Sequence, residues 1–166
     1  MKYRKCVCLV AAAAAMTPLM LTGCQLGSSA SLGPDSVQLQ QARDAVLAST
    51  DWSGKTDVTI EMLDYGYRPR EVRLKLGQPY RITLVNHGSV NHYFTAPEFL
   101  SSVATRKVEV RNQVEVKAPV FTSFELQGRG GSLDIYLVPM TKGSYRAHCH
   151  MKDHLSLGIE GTLIVE

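Results

Sequence analysis

Residues 143–165 read "GSYRAHCHMKDHLSLGIEGTLIV". Cys149 stands between His148 and His150, and His154 follows five residues after the cysteine, so four metal-seeking side chains fall within seven residues. "YRAHC" before the loop and "GTLIVE" after it are short stretches set off by "TKGS" and "LGIEG", which is how strands are punctuated. Two strands joined by such a loop aim Cys149 and His154 at one point. Side chains alternate along a strand, so His148 and His150 point to the face opposite an inward Cys149 and cannot share its metal.

Working outward, the same texture runs back to Trp52. "DVTIEML", "EVRLKL", "YRITLVN", "HYFTA", "RKVEVR", "VEVKAP" and "SLDIYLV" are strand-like, and "YRPR", "LGQP", "NHGS" and "QGRGG" separate them. Alternation is plain in Val72, Leu74 and Leu76 and in Leu133, Ile135 and Leu137. About eight short strands at this spacing predict a two-sheet antiparallel sandwich. Ahead of them, "PDSVQLQQARDAVLAST" predicts a short amphipathic helix, with Asp35 or Ser36 as N-cap and Val37, Leu39, Ala42, Val46 and Leu47 leaning to one side.

The chain has 166 residues, 45% of them apolar, enough for one domain with a real core. Residues 1–23 stand apart: "MKYRKC" is basic, "VCLVAAAAAMTPLML" is apolar, and "LTGC" closes the segment as a secretory signal does. With Lys2, Arg4 and Lys5 removed, fifteen basic residues face fifteen acidic ones. The basic balance therefore belongs to the signal, and nucleic-acid binding loses its electrostatic support. Cys6 and Cys8 leave with the signal, so Cys149 has no disulfide partner if Cys24 is modified. Residues 24–55 then form a tether and the short helix, and residues 56–166 form the domain.

A copper ion that changes oxidation state needs a ligand set tolerable to Cu(I) and Cu(II), and one thiolate with two imidazoles meets that need. Cys149 and His154 supply two of the three. Outside the C-terminal segment only His87 and His92 remain. His87 lies in the turn "VNHGSV", whereas His92 opens the strand "HYFTA" and can be fixed by a sheet, so His92 is the expected third ligand.

These segments resemble the cupredoxin family. "LVNHGSVNHYFTAPEF" is similar to its N-terminal ligand segment, residues 143–165 to its C-terminal one, and "YRPREVRLKLGQPYRITLVN" to its second and third strands. The likeness covers roughly residues 56–166 and implies a Greek-key sandwich with one type 1 copper on His92, Cys149 and His154. "LTGC" resembles a bacterial lipobox, implying a lipid on Cys24 and an envelope location facing the periplasm. Two departures stand out. Where the family places an axial methionine, five residues after the histidine, this chain has Ile159, which offers no donor; Met151 follows Cys149 too closely and reads as loop packing. The sequence "HCH" also resembles the last domain of multicopper oxidases, whose trinuclear cluster needs many more histidines than the five present here. His148 and His150 are left as solvated polar residues or a secondary metal site.

The expectation is a copper-binding protein that is not an enzyme, monomeric and membrane-associated through Cys24. It would pass electrons to a redox partner or handle copper with a delivery protein, with Leu155 and Leu157 covering the loop or docking that partner. Copper storage without a redox partner, an oligomeric oxidase or reductase using His148 or His150, and zinc in place of copper are the rival readings. Zinc favours four ligands, and Ile159 withholds the fourth.

Overall fold

Alternation of apolar and polar side chains has a period of two, and wherever one face of a strand must be dry it decides which residues turn inward. The computed structural model describes residues 34–110, 113–152, 154 and 157–166. The signal, the tether, Cys24 and Leu155 lie outside them.

Helix α1 (Pro34–Ser49) leads into a single 3₁₀ turn, Trp52–Gly54, capped by Asp51. Strands β1 (Thr56–Leu63), β2 (Gly66–Arg68), β3 (Glu71–Leu74), β4 (Tyr80–Asn86) and β5 (His92–Thr95) follow. After helix α2 (Pro97–Ser101) come β6 (Val103–Val110), β7 (Val114–Val116), β8 (Ser123–Leu126), β9 (Gly131–Pro139), β10 (Gly143–His148) and β11 (Glu160–Val165). One sheet has the order β2-β1-β4-β9-β6-β7 and the other β3-β11-β10-β5-β8.

The two sheets meet over a shared core. Ile82 and Leu84 of β4 and Leu133, Ile135 and Leu137 of β9 are buried in the first sheet; Val72, Leu74, Phe94, Phe124, Leu163 and Val165 are buried in the second. Each such side chain contributes about 1.5–3 kcal/mol by leaving water. Leu76, expected to continue the alternation of Val72 and Leu74, lies past the end of β3 and is exposed.

The expected sandwich is present, but it is not antiparallel throughout. β1 pairs with β4 in parallel, Thr56 opposite Tyr80 through Met62 opposite Asn86, and β3 pairs in parallel with β11. Each parallel pair joins strands that are not consecutive in the chain, and nothing in the local pattern of a strand encodes the direction of its neighbour.

Three elements lie where turns or nothing had been read. β2 occupies the start of "YRPR" and pairs back on β1, Met62 opposite Tyr67. α2 has Pro at its first turn and buries Phe99 and Leu100. β8, "SFEL", pairs with β5.

The predicted helix exists, but only the C-terminal part of the predicted face is covered. Val37, Leu39 and Ala42 are exposed, and it is Arg43, with Val46 and Leu47, that turns toward the domain. The helix meets β6, and Arg43 and the least exposed apolar residues, Val46 and Leu47, lie in its C-terminal half. No helix among the described residues is long and apolar enough to cross a membrane.

Candidate metal centre

β4 runs as "YRITLVN" and ends on Asn86, an amide that is fully buried and must therefore be satisfied. Its Nδ2 donates to Val90 O and to Leu126 O, each at 2.9 Å, and its Oδ1 accepts from the Gly88 N–H at 2.9 Å. These bonds fold residues 87–91 into a fixed turn and start β5 at His92. His87 stays exposed on the turn, as expected, whereas His92 is fully buried.

The β1–β2 turn reaches the same place. Asp64 Oδ1 lies 3.1 Å from His92 Nε2 and accepts from the Ser89 N–H at 2.9 Å, while Oδ2 accepts from Ser89 Oγ at 2.9 Å. Hydrogen bonds from His92 and then Ser89 hold the Asp64 carboxyl below its usual range. An ionised carboxylate only accepts, so it fixes the proton of the neutral ring on Nε2 and leaves the lone pair on Nδ1. His92 Nδ1 is buried and has no hydrogen-bond partner among the described residues. Gly88 makes the contact possible, because a Cβ there would sit 2.6 Å from His92 Nε2.

The C-terminal segment supplies the other donors. Ala147 and Cys149 turn inward while His148 is half-buried and His150 exposed, the alternation expected of the strand. Cys149 follows β10 directly, is fully buried and free, and its N–H donates to Ile159 O at 3.0 Å. The loop then coils on His154: its N–H donates to Met151 O at 3.2 Å, and its carbonyl accepts from Leu157 at 3.2 Å and Ile159 at 3.3 Å. Cys149 Sγ lies 3.4 Å from His154 Nδ1 and accepts from the Tyr93 N–H at 3.3 Å.

Donor atoms of His92, Cys149 and His154 thus all lie within 4.8 Å of one another, a group that could hold one metal ion, with the first two buried and His154 half-buried. The rings of His92 and His154 are 5.0 Å apart. A cysteine sulfur flanked by two imidazoles suits soft or borderline metals, and the Tyr93 N–H fixes where that sulfur sits. The orphaned Nδ1 of His92 is what such a site leaves for an ion to satisfy.

Ile159 is fully buried against this group and Met151 packs half-buried on the core. Leu157 is exposed. His148 and His150 do not join the cluster. His150 Nδ1 lies 2.6 Å from Thr95 Oγ1 and its ring stacks on Tyr93 at 4.0 Å. His148 Nδ1 has no partner, and burial, then the charges of Arg146 and His150, hold its pKa below the usual imidazole value. Tyr67 closes the inner side: its hydroxyl donates to Tyr93 O at 2.5 Å, and burial, then the nearby Cys149, raises its pKa.

Asp64, Tyr67 and Tyr93 were not anticipated from the sequence; Asn86 and Gly88 belong to the resemblance, as the end of a strand and its turn, without the contacts seen here. "NHGS" marks a turn, but only the folded chain shows that its asparagine is buried and its glycine faces a histidine ring.

No family model matches the sequence, and no curated protein matches it. Among solved structures the chain is similar to a multi-copper oxidase from Pseudomonas thermotolerans, with a TM-score of 0.52 and 17% identity over 71% of this chain and 31% of that one. It is similar to a Cu-containing nitrite reductase from Thermus scotoductus SA-01, with a TM-score of 0.51 and 12% identity over 66% of this chain and 30% of that one. A reduced auracyanin from the photosynthetic bacterium Roseiflexus castenholzii aligns over 68% of this chain and 98% of its own, with a TM-score of 0.48 and 17% identity. This chain therefore spans about a third of the oxidase and of the reductase. At such identities the likeness is one of architecture: the chain shares a two-sheet β-sandwich with these copper proteins, and the His-Cys-His group is seen in its own described residues.

Proposed function

We propose that this chain is a single-domain copper protein that carries single electrons, or hands on copper, in the bacterial envelope. The observation that carries the reading is the convergence of one cysteine sulfur and two imidazoles, with His92 Nδ1 buried and unpartnered among the described residues while Asp64 holds the opposite nitrogen. When bound, copper supplies a one-electron change between Cu(I) and Cu(II), both tolerable to this ligand set.

The chain's own residues do the rest. Asp64 orients the His92 ring, the Tyr93 N–H holds the Cys149 sulfur, and Ile159 and the core around Cys149 exclude water. A site whose ligands do not move between oxidation states exchanges electrons with little reorganisation, and His92 and Cys149 are each braced here by a second contact. Ile159 is proposed to wall the axial side with hydrocarbon in place of a thioether. Half-buried His154, beside exposed Leu157, offers the edge at which a redox protein or a copper-delivery protein would meet the site.

The five histidines are too few for a trinuclear copper set, which favours a carrier over an oxidase in this reading. Lipid on Cys24 and a monomeric state complete the reading.

The test is optical. Cu(II)-loaded protein is expected to show an intense thiolate charge-transfer band in the visible, and Cys149→Ser is expected to abolish it. A wild-type protein that takes up copper without the band, or a Cys149→Ser variant equally coloured, refutes the assignment.

A further inference from the structure

Buried cations in folded proteins are paired with anions, because removing a charge from water is costly unless another charge replaces the solvent. Arg43 departs from this. It lies on the inner face of α1, only 5% exposed, and its one described hydrogen bond is from Nη2 to the neutral Ser101 carbonyl at 2.5 Å. Its Nε is buried without an acceptor. Among the described residues it forms no ion pair; the neighbouring Asp44 carboxylate instead accepts from Gln40 Nε2 at 2.9 Å.

Arg43 also lines a groove of about 330 Å³ between α1 and the β6–β7 side of the sandwich, together with Arg106 and Lys117. The Arg106 guanidinium lies over the Trp52 ring, 4.9 Å from its centroid, and makes no ion pair among the described residues. Lys117 is highly exposed and touches Glu115 at 2.9 Å. Three cations from three separate segments face the Asp44 carboxylate in the groove and the Glu115 carboxylate on Lys117, which leaves an excess of one positive charge. Guanidinium groups offer planar forks of donors suited to oxyanions, and an ammonium adds a mobile point charge.

We propose that this groove is an anion site that takes a phosphate group, with Arg43 as its buried cation and Arg106 and Lys117 at its mouth. Cations approaching from several sides match a tetrahedral oxyanion better than a flat carboxylate. Two sources share that chemistry: a phospholipid headgroup and soluble phosphate. The first source would be within the chain's reach if Cys24 carried a lipid, since α1 begins ten residues after it in the sequence. The site itself is independent of the copper reading.

Trp52 is the only tryptophan and lies against Arg106, so it reports on the groove. The purified full chain is titrated with inorganic phosphate, with ionic strength held constant by chloride, and separately with phosphatidylcholine vesicles with and without phosphatidylglycerol. Trp52 emission and Tm are followed. A saturable change is expected, with its midpoint weakened about tenfold in Arg43→Met and about threefold in Lys117→Gln. Lys117→Gln decides the matter if Arg43→Met fails to fold, because Lys117 is a surface residue. A response to phosphate and not to vesicles assigns the site to soluble phosphate; a response to phosphatidylglycerol vesicles that phosphatidylcholine does not produce assigns it to a headgroup. No saturable response to either ligand, or one unchanged in the variants, overturns the proposal.

Discussion

Gly88→Ala is the sharpest probe of how the fold holds the metal-ready histidine. A Cβ at this position would lie 2.5 Å from Asp64 Oδ1, 2.6 Å from His92 Nε2 and 2.9 Å from His92 Cδ2. Something must move, and the neighbours are unequal. His92 is fully buried and enclosed by the core, whereas the Asp64 side chain is about a third exposed and can swing into solvent. Asp64 is therefore expected to leave, releasing the His92 ring and removing the acceptor from the Ser89 N–H and hydroxyl. Overpacking of this kind costs about 1–3 kcal/mol, a fall in Tm of about 3–15 °C for a domain of this size. Losing the partner that orients a ligating histidine lowers metal affinity about 10- to 100-fold. Thermal melts of the metal-free chain measure the first effect and competition against a copper chelator the second. A variant with wild-type Tm and wild-type copper affinity would show that the contact of Gly88, Asp64 and His92 has no bearing on the site.

Asn86→Ala removes three hydrogen bonds of a fully buried amide and is expected to lower stability by about 1–3 kcal/mol in urea unfolding, with the copper band weakened because His92 loses its fixed turn; unchanged unfolding would contradict that role. Ile159→Met brings a weak axial donor that helps Cu(II) more than Cu(I), so voltammetry should find a lower reduction potential, and a higher one would remove Ile159 from the axial side. Cys24→Ser is expected to shift the protein out of the membrane fraction, and mass spectrometry showing an unmodified N-terminus downstream of Cys24 in the wild type would refute lipid attachment.

The local patterns of this sequence determined a great deal by themselves. Strand "YRITLVN" and the core positions Leu133, Ile135 and Leu137 follow from alternation with period two, which needs only neighbouring residues to be read. The crowding of Cys149 and His154 in one loop is equally local, and His92 was separable from His87 because one opens a strand and the other sits in a turn. Long-range geometry was not legible. Asp64 meets His92 across 28 positions, the parallel pairings of β1 with β4 and β3 with β11 join distant segments, and no periodicity encodes either. The face of α1 was read correctly only at Val46 and Leu47, for the same reason: a helix buries what its neighbour covers, and it is Arg43 rather than Val37 and Leu39 that is covered. Donor types and strand phase are properties of the chain, whereas the orientation of the His92 ring and the unpaired charge of Arg43 arise only when sheets pack, because each depends on which distant surfaces exclude water together.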